Sequence, residues 1–412
     1  MANTKDYIDN IKLKFGYGET GNQQIANNQY SSTITSSLTG IGQSFFPAGT
    51  ANPNLKWETS RQTNAGIEFT LFNSALTTTV EVYRKVSKDF LYKTNFPLYL
   101  TGGETYEGGV SSPIANMGSM ENKGIDITLN LNKKLSDNLS WNSTLVFTKY
   151  VNKVLELDNA INRDINVNGY LTKTITRTVE GGVVGAFLGP VYQGIYRDSA
   201  QLVNAPLNGF GPDPAPFAVG DVIYKDLNGD GVVNEDDFTT IGNPNPDFTF
   251  GFTNSFSYKG IDLSVFLQGS VGNDIYNLTR RAGTLNSNLY ANQFTEAADY
   301  FSAENPNGHL PRLGAGQAHP NNFLSGRYIE DGSYLRIQNL ALGYSLPTEW
   351  ISKLSITKLR IYGTVQNLYT FTKYKGYDPE VGSYNQDALL SGIDNGRYPT
   401  PRTITMGFNI EF

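Results

Sequence analysis

The sequence predicts an all-β protein, an antiparallel transmembrane β-barrel, and three observations carry that reading. Apolar and polar residues alternate along one segment after another, the side-chain period of a strand with one oily and one wet face. The connections between those segments are alternately short and long. The chain also closes on such a strand: Ile404, Met406, Phe408, Ile410 and Phe412 share one face, and Thr403, Thr405, Gly407, Asn409 and Glu411 share the other. About ten tilted residues ending in an aromatic suffice to cross the apolar band and seat the ring at the interface.

Composition agrees with this and removes other classes. Tyr (25) and Phe (23) far outnumber Trp (3) and Met (4), which suits strands and interfacial aromatic girdles. With 32 basic and 38 acidic residues the formal net charge is -6, so nothing electrostatic points to nucleic acid. The absence of cysteine excludes disulfides and thiolate metal sites. No run of about eighteen apolar residues exists, hence no transmembrane helix, although a barrel needs none. Met1 to Asp6 is polar and shows no signal peptide, which predicts a cytosolic chain or part of a longer one.

Taken in order, the first strand alternates Ile11, Leu13, Phe15 and Tyr17 with Lys12, Lys14, Gly16 and Gly18. Its end, Gly16 to Gly21, matches the dinucleotide fingerprint GxGxxG. That fingerprint requires a helix N-terminus to hold the pyrophosphate, and a polar Asn- and Ser-rich run follows instead. A long polar loop leads past Trp57 to a second strand with Ile67, Phe69 and Leu71. Phe72 to Ala75 then turns into a third strand with Val80 and Val82. Ile125 to Leu131 and Leu139 to Phe147 are joined at Leu135 to Asn138. After a long irregular stretch, 152–246, come Phe248 to Phe252 and, through Tyr258 to Gly260, Leu263 to Leu267. Leu340 to Leu346 and Leu359 to Val365 flank a short helix expected within Pro347 to Leu354. A loop centred on Gly376 to Tyr398 leads to the closing strand. That makes roughly ten strands, with short turns at one end and long loops at the other, as membrane barrels have. A sandwich would space its turns evenly at both ends.

Several stretches then resemble one family. Asn52 to Glu58, Met120 to Asp126, Asp226 to Asp237, Ile241 to Pro244, Asn339 to Tyr344 and Pro399 to Phe412 are similar, in content and order, to the SusC/RagA branch of the TonB-dependent transporters. The resemblance covers nearly the whole chain and implies a barrel of about 22 strands around a plug. It implies a SusD-like surface lipoprotein as lid, TonB as energy source and oligosaccharides or peptides as cargo, in the outer membrane of a Gram-negative cell. On that pattern 1–412 corresponds to the C-terminal part of the barrel. The plug, the TonB-contacting segment and the first barrel strands have no counterpart here.

Asp226 to Asp237 also reads as a twelve-residue calcium loop. Such loops want oxygen ligands at positions 1, 3, 5, 7 and 12, and glycine at 6 for the sharp turn. Here these are Asp226, Asn228, Asp230, the Val232 carbonyl and Asp237, with Gly231 at the turn. Asn234 at position 9 contributes directly or through water, and the expected ion is a structural Ca2+ within the extracellular loop 152–246. His309 and His319 share a loop without cysteine or a well-spaced carboxylate, so zinc is not expected. Glycosidase chemistry needs two carboxylates across a cleft. Asp236/Asp237 and Glu104/Glu107 are loose acidic pairs of this kind, and no catalysis is expected. Phe45, Phe46, Tyr99, Tyr106, Tyr192 and Tyr196 are loop aromatics that either stack on cargo or pack loop on loop. A secreted, calcium-stabilised β-rich adhesin or carbohydrate-binding module is the alternative; there the apolar faces would meet one another as a core.

Overall fold

The computed structural model describes residues 7–22, 30–47, 49–93, 98–102, 109–157, 160–167, 171–285, 292–314, 319–352 and 355–412. Ten strands form one antiparallel sheet: β1 Ile8–Asn22, β2 Glu58–Leu71, β3 Leu76–Lys93, β4 Ile114–Ser136, β5 Leu139–Glu156, β6 Phe248–Tyr258, β7 Ile261–Val271, β8 Tyr334–Ser345, β9 Lys358–Thr372 and β10 Thr403–Glu411. Each strand pairs with its neighbours in sequence, so the sheet runs from β1 to β10 without a crossover. It is a partial barrel wall.

The turns at one end are tight. Lys259 and Gly260, with φ of 46° and 85°, join β6 to β7. Two consecutive positive φ values give the turn whose twist matches that of the strands it joins. The expected helix between β8 and β9 is a single turn, Thr348–Ile351.

Register turns the alternation into faces. Leu13, Ile67, Val80, Ile127, Phe147 and Phe250 lie opposite one another strand by strand, and the row continues through Gly269 and Leu335 to Phe371. The neighbouring row on this face includes Ile11, Phe69, Leu129, Leu145, Phe252, Leu267, Ile337 and Tyr369. On the other face Lys12, Glu68, Thr79, Thr128, Val146, Gly251, Gln268, Arg336 and Thr370 form the corresponding row. Among the described residues the apolar rows are not packed against a second sheet. Leu13 and Phe15 are 79% exposed and Met406 85%, which is the surface that hydrocarbon requires and that water disfavours.

The long connections depart from expectation. The stretch 152–246 is not irregular throughout: β5 runs on to Glu156, and beyond it Ile161–Val167, Leu171–Thr178, Ala186–Gly189 and Thr239–Gly242 make a four-stranded sheet. The polar loop before Trp57 likewise carries a hairpin, Ile34–Thr39 with Gly42–Pro47. Long aqueous loops must pair their backbone groups somewhere, and these do so in short sheets. Ile165, Ile175, Phe187, Tyr276, Leu278, Tyr328, Leu390 and Ile393 bury together, drawing three separate connections into one crown.

The crown sits over the polar face at its loop end. Val154 of β5 is buried with Leu157 and Ile161 against Val184 and Leu389. Arg336 of β8, 2% exposed, donates to Asp378, to Glu380 at 2.9 Å and to the Thr370 hydroxyl at 2.9 Å. A buried guanidinium is tolerable only with such partners.

Ile127→Arg should cost about 2–4 kcal/mol in bilayer unfolding measurements, while Thr128→Arg, facing the other way, should stay within about 0.5 kcal/mol. Arg336→Met strips Asp378 of its cation inside the crown and should destabilise by about 3–5 kcal/mol. Hydrogen exchange should then accelerate over 373–402; unchanged exchange there would refute the anchoring role.

Candidate functional site

The calcium-type loop begins where the strand Val222–Tyr224 ends and closes on the 3-10 turn Glu235–Asp237. Its two flanks are held down, since Val222, Tyr224, Val233 and Phe323 bury together with Tyr192 and Phe210 against them. Between these anchors the chain must reverse sharply. Gly229 and Gly231, at φ of 75° and 82°, supply the left-handed backbone that side chains disfavour.

The sequence-predicted residues come together as a web of side-chain oxygens on backbone donors. Asp226 accepts from the N–H groups of Gly229 at 2.7 Å and Gly231 at 2.9 Å. Asn228 Oδ1 accepts from Asp230 N–H at 2.9 Å, and Asp230 from Val232 N–H at 2.8 Å. Asn234 caps the closing turn by accepting from Asp236 N–H at 2.6 Å, and Asp237 completes the capping box through Asn234 N–H at 2.9 Å. Asp237 also accepts from Leu227 N–H at 2.7 Å and is fully buried. Asp237 Oδ1 takes a second, longer bond from Asn228 N–H at 3.4 Å, whereas each oxygen of Asp226 accepts one of these backbone donors and, with two lone-pair directions, keeps one for a further partner.

The donor chemistry, the glycine positions and the capped exit suit a hard cation such as calcium. Among the described residues, however, no group of three or more His, Cys, Asp or Glu side chains is gathered closely enough to hold a metal. An ion would therefore have to draw Asp226, Asp230 and Asp237 inward.

The other candidates resolve individually. Gly16 to Gly21 lie inside β1, not at a helix entrance, which removes the nucleotide fingerprint. His309 bonds Asp299 at 2.6 Å on the surface. His319 instead accepts from Asn321 N–H at 3.3 Å, beside Asp221 and Arg312. Burial pushes the His319 imidazole below its ordinary range. Asp236 is exposed while Asp237 is buried as the loop's hydrogen-bond hub, so this pair does not face across a cleft. Glu104, Glu107 and Tyr106 lie outside the described residues. Tyr196 is 3% exposed and packs on Phe217, and Tyr192 packs on the Val222 cluster, so these two aromatics serve loop packing. Phe45 and Tyr99 are exposed.

One site was not visible beforehand. Asp221, buried in the crown, takes Arg312 through two bonds, 2.7 and 3.1 Å, and Asn321 at 2.9 Å, tying the 152–246 loop to the connection between β7 and β8. No local pattern marks it, since Asp221 and its partners are 91 and 100 residues apart.

Comparison with known proteins places this architecture. The family described as TonB dependent receptor-like, beta-barrel, matches residues 5–368. A TonB-dependent receptor of Formosa agariphila is 32% identical over 409 residues, covering 98% of this chain and 40% of that protein. The TonB-dependent receptor SusC of Bacteroides thetaiotaomicron is 26% identical over 429 residues, covering 98% and 38%. Among solved structures, that of the RagAB peptide transporter superposes with a TM-score of 0.78 at 24% identity, covering 99% of this chain and 41% of that one. A closed-closed RagAB peptide importer gives 0.77 at 25% identity over 98% and 41%. The chain thus spans about 40% of the length of the relatives it matches. A sheet in sequence order, a lipid-type outer face and a loop crown over the polar side agree with this likeness, and the chain belongs to the TonB-dependent receptor β-barrel family.

Proposed function

We propose that the chain forms part of the channel wall and the extracellular mouth of an outer-membrane, SusC-like importer. The observation that carries this reading is the pair of faces on one sheet: predominantly apolar rows outward, and polar rows under a folded crown. The inward face offers Thr, Ser and Asn hydroxyls and amides with scattered charges of both signs, such as Lys14 paired with Glu68 at 2.5 Å. Such a surface hydrogen-bonds hydrated oligomers without holding them tightly, which suits oligosaccharides or peptides as cargo. The likeness to a peptide transporter supports the same class.

In this reading a SusD-like lipoprotein lids the crown, and TonB delivers energy to the plug of the assembled transporter. The wall acts by binding and gating; no bond chemistry is assigned to it. Calcium held by Asp226, Asn228, Asp230, the Val232 carbonyl and Asp237, with Asn234 capping the exit, would clamp one segment of the mouth. Its contribution is charge neutralisation among three carboxylates whose mutual repulsion otherwise opposes closure.

Two measurements test the proposal. The protein should fractionate with outer membranes and stay monodisperse only in detergent; a monodisperse species in plain buffer would overturn the membrane assignment. Calorimetric titration of calcium should give a saturable single-site isotherm that disappears in Asp226→Ala with Asp230→Ala. Absent heat in the unsubstituted protein, or heat unaltered by the double substitution, would remove the ion from the scheme.

A further inference from the structure

Where the outward face approaches the loop end, its character changes within two rows. Ala65, Val82, Ile125 and Lys149 are opposite one another, and the next row is Thr63, Arg84, Lys123 and Val151. Together these eight side chains line a groove of about 690 Å3 across β2 to β5, with the backbone at Tyr83, Gly124 and Tyr150 between the two rows. Its membrane-side floor is apolar and continuous with the row of Ile67, Val80 and Ile127. Its upper rim is cationic.

The charges at that rim are in excess. Arg84 and Lys123 share one carboxylate, that of buried Glu121, with Lys123 at 3.4 Å. Lys153 stands directly opposite Glu121 in register. Lys149 and Lys153 are exposed, and neither forms an ion pair among the described residues. Arg84, Lys123 and Lys153 are therefore grouped at the Glu121 carboxylate, and Lys149 adds a further exposed cation two rows below. Arg61 one row higher is satisfied by Glu19 at 2.8 Å and adds no surplus.

Long basic side chains at a membrane boundary lay their stems on apolar surface and lift their heads to the polar layer. Here three such residues, Arg84, Lys123 and Lys149, line one groove, with Lys153 one row above it. We propose that this groove is a docking site for a phosphate-bearing lipid of the outer leaflet. Its acyl chains would lie on Ala65, Val82 and Ile125, and its phosphate would be held by Arg84, Lys123 and Lys149. Charge complementarity selects the occupant: a zwitterionic headgroup would bring its own cation to a rim that already has too many. The inference rests on the membrane orientation proposed above, with the long loops outside.

The test is native mass spectrometry of the whole protein, released from outer membranes in mild detergent and exchanged against added phosphatidylglycerol and phosphatidylcholine. The expected result is selective retention of phosphatidylglycerol, weakened about 30-fold in Lys123→Ala with Lys149→Ala, the factor equal to about 1 kcal/mol for each charge removed. Lys133→Ala with Lys134→Ala, at the turn end of β4, should retain lipid as the unsubstituted protein does. Equal retention by the groove variant, or no preference for the anionic lipid, overturns the docking site while leaving the barrel intact. Recovery of the unsubstituted protein in the aqueous fraction without detergent overturns the membrane reading itself, so the two failures are distinguishable. Should the double alanine variant fail to insert, Val82→Trp, which fills the floor and keeps every charge, provides the second reading. It too should lose lipid, and undiminished retention counts against the site.

Discussion

Hydrocarbon offers no hydrogen-bond partner, and that single constraint dictates the wall. Each backbone N–H and C=O at membrane depth must be met by a neighbouring strand. An antiparallel sheet in sequence order does this with the least chain, since every strand finds its partner across one connection. The constraint acts on the backbone and leaves the side chains free to divide by face. Thr128 and Ile127 are adjacent in sequence yet belong to different solvents, and the same is true of Gly251 and Phe252.

Outside the membrane the constraint relaxes, and the chain spends its length differently. The connections at the loop end fold into short sheets of their own, with small cores such as that around Phe187, Tyr276 and Tyr328. These cores recruit residues from loops distant in sequence, so the crown is one layer assembled from several loops. Polar knots fasten it: Asp221 with Arg312 and Asn321 within the crown, and Arg336 with Asp378 and Glu380 between crown and wall. The calcium-type loop is a further local closure, built on Asp237 and its backbone donors.

How far this was legible in the sequence follows from the same physics. The wall strands were readable because a two-solvent environment imposes a period of two on every one of them. Their outer ends were not. β4 begins at Ile114, well before the alternation visible from Ile125, because above the apolar band both faces are polar or charged, as Ser119, Glu121 and Asn122 show. The crown sheets were hidden for a different reason. Ala186–Gly189 finds its partner at Thr239–Gly242, and short strands paired at such separation leave no local pattern. The compact Asp- and Gly-rich turn from Asp226 to Asp237 was legible, whereas the burial of Asp237 and its hold on Leu227 and Asn234 were not. Arg336 carries no local signal, because its acidic partners Asp378 and Glu380 lie beyond β9 in another segment.

Arg336 has a mechanical consequence. A guanidinium buried between a rigid strand and the segment around Asp378 acts as a rivet, and pulling that segment away would leave charge stranded in a dry interior. The crown over β8 and β9 must therefore travel with the wall as one body. Any hinged movement of the connections has to be sought in segments that lack such a rivet.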